Sequence, residues 1–322
     1  MSENNNQIFN LTTEQKQSIN TYLDKGRRDV PMFCEEGVNE VIYVPVKDGE
    51  LRVFYHKPEK SLTKRPIVFL PGYVAALFTW KDFHVPHHGI GEYFYVDTRE
   101  KASSKIKRNR KVSLDIEQSA RDLPEVIDYL GLSKRDHVLY GASYGGAVIF
   151  QSLIQQLIEP PTVVTFDPVT KWVYGNFFSN VMMRIVPLFI LSPMRTIFAK
   201  ISLARMENQA QKDRLVAFLQ GAEPWKFKQS FFQNKKFDIS NDLSEIKSEL
   251  FICHGPLDKY HPRIDYYNFA KAIPKGRFIF METKDEDREL LAGVIATEFA
   301  MKTKTDGLPE SLKSFEIPIH KD

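Results

Sequence analysis

Six short apolar runs decide what this chain can fold into. They are Ile67–Leu70 (IVFL), Tyr93–Val96 (YFYV), Val138–Ala142 (VLYGA), Val163–Phe166 (VVTF), Leu250–Cys253 (LFIC) and Phe278–Met281 (FIFM). They stop at Pro71-Gly72, Asp97, Ser143, Asp167, His254-Gly255 and Glu282 in turn. Continuous apolar runs of this length, without polar alternation, mark strands buried on both faces of a parallel sheet. Helical patterns separate them. In 116–130, Ile116, Ala120, Leu123, Ile127 and Leu130 recur at helical spacing and Gly131 ends the run. Further helical patterns cover 145–158, 262–273 and 287–302. The alternation predicts an α/β fold: a mostly parallel central sheet with helices on both faces.

Upstream, VIYVPV and LRVFYH flank Lys47-Asp48-Gly49, which reads as a hairpin. Residues 38–169 and 238–302 are expected to form the core. The interval 170–237 breaks the strand–helix rhythm and is rich in Phe, Met, Arg and Trp. Lying between two sheet strands, it is expected to be a helical cap over the strand C-termini, where open α/β sheets bind ligands. Residues 1–37 read as a polar extension with a helix near Glu14–Lys25. Residues 303–322 read as a polar, loosely held tail.

Gly141-Ala142-Ser143-Tyr144-Gly145 matches G-x-S-x-G between a strand and a helix, the context this nucleophile motif requires. Glycines on either side let the backbone turn tightly and lift Ser143 to the head of a helix. There the helix N-terminus favours negative charge on the reacting group.

With these motifs the sequence resembles the α/β-hydrolase superfamily, in its lipase/esterase-like branch with a helical cap. The resemblance runs from about residue 40 to 302. Leu-Pro-Gly-Tyr at 70–73 stands where that family carries its oxyanion loop. Asp97-Thr98-Arg99 matches its D-x-R segment, although Glu100 and Ala102 stand where glycines usually follow. His254-Gly255-Pro256-Leu257-Asp258 matches its acid segment. The resemblance implies Ser143 as nucleophile, Asp258 as the acid, and the N–H groups of Tyr73 and Tyr144 as the oxyanion hole, with Val74 a neighbouring donor. Asp167 is the alternative acid.

The family's base is a histidine after the last strand. Here that stretch, Glu282–Glu289, holds none. A serine at its free pKa is a weak nucleophile and needs a base. His261, three residues after Asp258, is the first candidate, and His320 in the tail is another. His254 reads as a structural residue at a strand end. Asp285, Glu286 or Asp287 could stand in as a carboxylate base. His84, His87 and His88 have no accompanying carboxylate spacing for a metal site.

The reading is therefore a serine hydrolase cleaving an ester-like bond of a small apolar or acyl substrate. The alternatives are a non-catalytic protein of the same fold that binds a ligand or partner, and an acyltransferase. No cofactor motif is present: there is neither G-x-G-x-x-G nor a Walker pattern. Net charge is +3, too small an excess for a dedicated nucleic-acid binder. With two cysteines, no secretory signal and no uninterrupted apolar span, the expected location is the cytoplasm. Lys105–Lys111 reads as a solvated loop, with an anionic lipid surface or an acidic substrate headgroup as the alternatives. Met182–Ile201 reads as an ordinary cap helix, with an amphipathic lid as the alternative.

Overall fold

The computed structural model describes residues 9–75, 77–172, 184–185, 187–188, 203–204, 209–256 and 262–319. Ten strands form one sheet. They are β1 (Glu40–Val46), β2 (Gly49–His56), β3 (Ile67–Leu70), β4 (Tyr93–Val96), β5 (Lys105–Ile106), β6 (Val138–Ala142), β7 (Thr162–Phe166), β8 (Leu250–Pro256), β9 (Gly276–Thr283) and β10 (Glu316–Ile317). The order across the sheet is β1-β2-β4-β3-β6-β7-β8-β9-β10, with β5 pairing β2. Strands β4, β3, β6, β7, β8 and β9 run parallel, whereas β1, β2 and β10 join antiparallel. The six apolar runs are the six parallel strands, and the hairpin joins β1 to β2 around Asp48, whose φ is +66°.

The longer helices are α1 (Thr13–Gly26), α2 (Ile116–Tyr129), α3 (Tyr144–Ile154), α4 (Gln209–Gly221), α5 (Pro224–Gln233), α6 (Arg263–Ala272) and α7 (Arg288–Ala300). Successive strand side chains point to opposite faces, so each strand feeds two cores. Leu139, Val163 and Ile252 pack on one face with Ile116, Leu123, Phe150 and Tyr266 of α2, α3 and α6. Tyr140, Val164 and Phe251 pack on the other with Ile19 and Leu23 of α1 and Leu291, Ile295 and Phe299 of α7. Burying a side chain of this size contributes about 1.5–3 kcal/mol.

Both ends are better anchored than their polar composition suggests. A capping box at Thr12 and Gln15 starts α1. The buried ring of Phe9 meets Phe278, Phe280 and Tyr267 edge to face. At the other end Leu308, Leu312 and Phe315 are buried, and β10 pairs with β9. The tail is thus packed rather than loosely held, as far as Ile319.

Between β7 and β8 the described residues hold α4 and α5. The rest of the interval expected to be a cap, including nearly all of Met182–Ile201, lies outside the described residues. No described helix is long and apolar enough to cross a membrane. In the basic run, Lys105 pairs with Glu50 and sits over the Tyr43 ring, while residues 107–111 are exposed.

Candidate active site

Ser143 is held in a conformation that L-residues avoid, with φ 50° and ψ −112°. Such a backbone costs on the order of 1–3 kcal/mol and persists only where its surroundings over-determine it. Here they do. The Ser143 N–H donates to Phe166 O (3.0 Å), its carbonyl accepts from Ala147 and Val169, and Gly145 N–H donates to Pro71 O (3.1 Å). The flanking glycines are steric requirements. A Cβ on Gly141 would lie 2.8 Å from the Gly145 carbonyl carbon, one on Gly145 2.5 Å from the Leu70 carbonyl carbon, and one on Gly146 2.7 Å from Pro168 Cβ. Ser143 therefore stands between β6 and the first turn of α3, against the loop that follows β3.

That loop carries Gly72, Tyr73 and Val74. A Cβ on Gly72 would come within 3.7 Å of Ser143 Cβ, so the loop and the serine are immediate neighbours. The Tyr144 N–H belongs to the first turn of α3, where no intrahelical acceptor exists. Val74, also strained at φ +52°, gives its N–H to Glu100 Oε1 (3.3 Å). This removes Val74 as an oxyanion donor and leaves Tyr73 as the loop's candidate. The Tyr73 hydroxyl bonds Ser230 Oγ of α5 (2.5 Å), and its ring meets Trp172 at 4.7 Å and Tyr144 at 5.3 Å. An aromatic wall thus borders the loop.

Register places a second group at the same edge. Ala142, Phe166 and Cys253 pair across β6, β7 and β8. The next residues along those strands are Ser143, Asp167 and His254. Asp167 Oδ1 lies 2.5 Å from His254 Nδ1, and Oδ2 accepts from Arg288 Nε at 2.8 Å. All three are buried. Arg288 opens α7, within the stretch searched for the family histidine. Its guanidinium, whose pKa is raised beside Asp167 and Glu289 against the opposing effect of its own burial, cannot take up a proton.

Both Asp167 oxygens are therefore committed. The strand end that carries Asp167 lies between those that carry Ser143 and His254, whereas a relay needs the imidazole between serine and acid. His254 stacks on Tyr266 (4.6 Å), and its buried Nε2 has no partner among the described residues. The expected structural role of His254 matches this packing. The alternative of Asp167 as acid for a distant base does not fit it.

The acidic run is also engaged. Asp285 and Glu289 clasp Arg214 of α4 at 2.8 Å, Asp287 pairs with Arg27 at 2.6 Å, and Glu286 lies 3.7 Å from Lys284. None of these carboxylates is a free base directed at Ser143. Asp258, His261 and His320 lie outside the described residues; the chain holding the first two, 257–261, joins the end of β8 to Pro262, the N-cap of α6. His84 and His87 are buried, and no group able to hold a metal ion occurs among the described residues.

Sequence reading took Glu100 only as a departure from the family's glycines and missed Lys101 and Arg288. The Asp167–His254 contact had a signal: each residue directly follows a run assigned to a neighbouring parallel strand.

No protein-family model and no curated protein matches this sequence. Solved structures do match. A hydrolase from Pseudomonas aeruginosa superposes with a TM-score of 0.60 at 15% identity, over 81% of this chain and 98% of that one. An esterase from Thermogutta terrifontis gives 0.58 at 17% identity, over 80% and 95%. An esterase from Exiguobacterium antarcticum gives 0.58 at 18% identity, over 76% and 91%. Together with the strand order and the strained serine turn, these likenesses show that the chain has the α/β-hydrolase fold.

Proposed function

We propose that the protein is a serine hydrolase that cleaves an ester-like bond of a small apolar or acyl substrate. The observation that carries this reading is the backbone of Ser143. A serine held at φ 50° between close-packed glycines has no evident structural use, and it presents its hydroxyl at the head of α3. Ser143 Oγ attacks the acyl carbonyl, and the N–H groups of Tyr73 and Tyr144 receive the developing oxyanion. Each such donor contributes roughly 3–4 kcal/mol in enzymes where it has been removed. The aromatic wall of Tyr73, Tyr144 and Trp172 suits an apolar acyl group. The cap reading of 170–237 is supported by α5, whose Ser230 meets the Tyr73 hydroxyl.

The acid and base are assigned to the 257–261 segment: His261 takes the serine proton and Asp258 orients it. Among the described residues Asp167 is bound to His254 and Arg288 and the post-β9 stretch brings Arg288, which supports looking for the base in the segment that follows β8. Hydrolysis of short p-nitrophenyl esters tests the assignment. Wild-type protein should turn over, whereas Ser143→Ala and His261→Ala should fall by several orders of magnitude with unchanged melting. Equal turnover by Ser143→Ala would refute the reading.

One observation favours the second reading, a non-catalytic ligand-binding protein: an arginine, not an imidazole, enters from the start of α7. That reading expects no ester turnover and a ligand-dependent rise in melting temperature.

A further inference from the structure

Beneath the loop that follows β3 lies a buried ion pair for which the hydrolase reading has no use. Glu100 and Lys101 follow the Asp97-Thr98-Arg99 segment, and both are almost inaccessible to solvent. Their side chains lie 3.1 Å apart and both reach the loop beside the serine. Lys101 Nζ donates to Gly72 O at 2.8 Å. Glu100 Oε1 accepts from Val74 N–H and from Thr98 Oγ1. Glu100 Oε2 is buried and has no partner among the described residues. The backbone of this segment is fixed in turn from α5: Lys226 Nζ donates to Lys101 O at 2.7 Å and also bonds Ser104 O.

Gly72 C=O and Tyr73 N–H belong to one peptide unit. A planar peptide cannot turn one end without turning the other. A cation on the carbonyl therefore fixes where the N–H points. It also polarises the amide, because hydrogen bonds in a chain strengthen one another in a low-dielectric interior. The Ala75 N–H also reaches Gly72 O, at 3.3 Å, so without the lysine only this longer turn bond holds the peptide against turning its oxygen to the site. The glutamate ties up the adjacent Val74 N–H and balances the lysine charge.

We infer that Glu100 and Lys101 are positioning residues for the oxyanion hole: Lys101 orients and polarises the Gly72–Tyr73 peptide, and Glu100 anchors both Lys101 and Val74. The inference rests on the proposed Ser143 hydrolysis, and its test separates the two. Taking a single partner from a buried pair can unfold a protein. The decisive variant is therefore the double one, Glu100→Gln with Lys101→Met, which removes both charges at similar volume. Lys101→Met alone is the companion.

Two readouts are taken on the full chain. The first is kcat and KM on a p-nitrophenyl ester. The second is the Tyr73 amide signal in ¹⁵N-tyrosine-labelled protein, identified among the 13 tyrosines by its loss in Tyr73→Phe. Expected is a drop in kcat on the order of 10- to 100-fold, within the effect of losing one oxyanion donor. KM should change little, and the Tyr73 amide should shift. A merely structural role would lower melting temperature without this split. If wild-type protein turns over and the folded double variant keeps its kcat, the inference is overturned and the hydrolase reading stands. If wild-type protein shows no turnover, the hydrolase reading falls. The amide signal then decides: a shift supports the clamp on the peptide, and an unmoved signal overturns it.

Discussion

Replacing Gly145 by alanine tests the link between backbone packing and the serine turn. The Cβ of Gly145→Ala would sit 2.5 Å from the Leu70 carbonyl carbon and 2.8 Å from Leu70 Cβ. Carbon atoms pack at about 3.5–4.0 Å, so the first turn of α3 and the end of β3 must separate by about 1 Å. The obstacle is backbone, which cannot rotate away. Overpacking of this kind costs about 1–3 kcal/mol of stability. The same displacement pulls the Gly145 N–H from Pro71 O and moves Tyr144 N–H relative to Tyr73 N–H. A misplacement of about 1 Å at a reacting centre can lower a rate on the order of 100-fold. Gly72→Ala is the control. Its Cβ meets Ser143 Cβ and Trp80 at ordinary contact distances, 3.7 and 3.9 Å, so stability should hold while the space beside the serine shrinks. The assays are thermal melting and the second-order rate of reaction with a fluorophosphonate. Gly145→Ala should lose in both, and Gly72→Ala in the second alone. A Gly145→Ala protein that melts and reacts like wild type would refute the packing argument.

Ser143→Gly should abolish reactivity yet raise stability by up to about 1–3 kcal/mol, because glycine adopts φ 50° without the side-chain penalty; denaturant unfolding reads this, and Ser143→Ala should show no such gain. Arg288→Gln removes the cation from buried Asp167 and should cost on the order of 3–5 kcal/mol, read as a lower unfolding midpoint. Stability should also fall with acid. Burial lowers the pKa of His56 and of His87 from 6.5 to about 4, and lowers His84 well below 6.5. Above pH 6.5 these groups are neutral in both folded and unfolded chains and contribute no slope. Between pH 6.5 and 4 the unfolded chain binds protons that the folded one refuses, so each group can withdraw up to about 1.4 kcal/mol per pH unit. Unfolding midpoints measured from pH 7 to 4.5 should fall, and His87→Gln should flatten the fall.

The fold was largely legible because buried parallel strands write themselves as short apolar runs. The turn around Ser143 was legible because its glycines are sterically compelled. The packing of the ends was harder to read. Strand β10 is two residues long, and α1 buries little beyond Ile19, Leu23 and Gly26 within a polar helix, so neither leaves a periodic pattern. Glu100 and Lys101 in sequence look like any charged loop. Their burial comes from contacts with Gly72 and Val74 far upstream, which periodicity does not report. The same holds for Arg288, which begins an apolar helix yet turns to Asp167, just past the end of β7 and 121 residues earlier. Arg214 likewise claims Asp285 and Glu289 from another part of the chain, which is why a run of carboxylates that reads as available proves to be engaged.

The central claim is that Ser143 is an activated nucleophile. Incubation of purified protein with a fluorophosphonate, followed by intact-mass and peptide mass spectrometry, tests it most directly. The account predicts one adduct, on the peptide containing Ser143, absent in Ser143→Ala and strongly slowed in His261→Ala. A folded wild-type protein that acquires no adduct, or one that acquires it elsewhere, would contradict it.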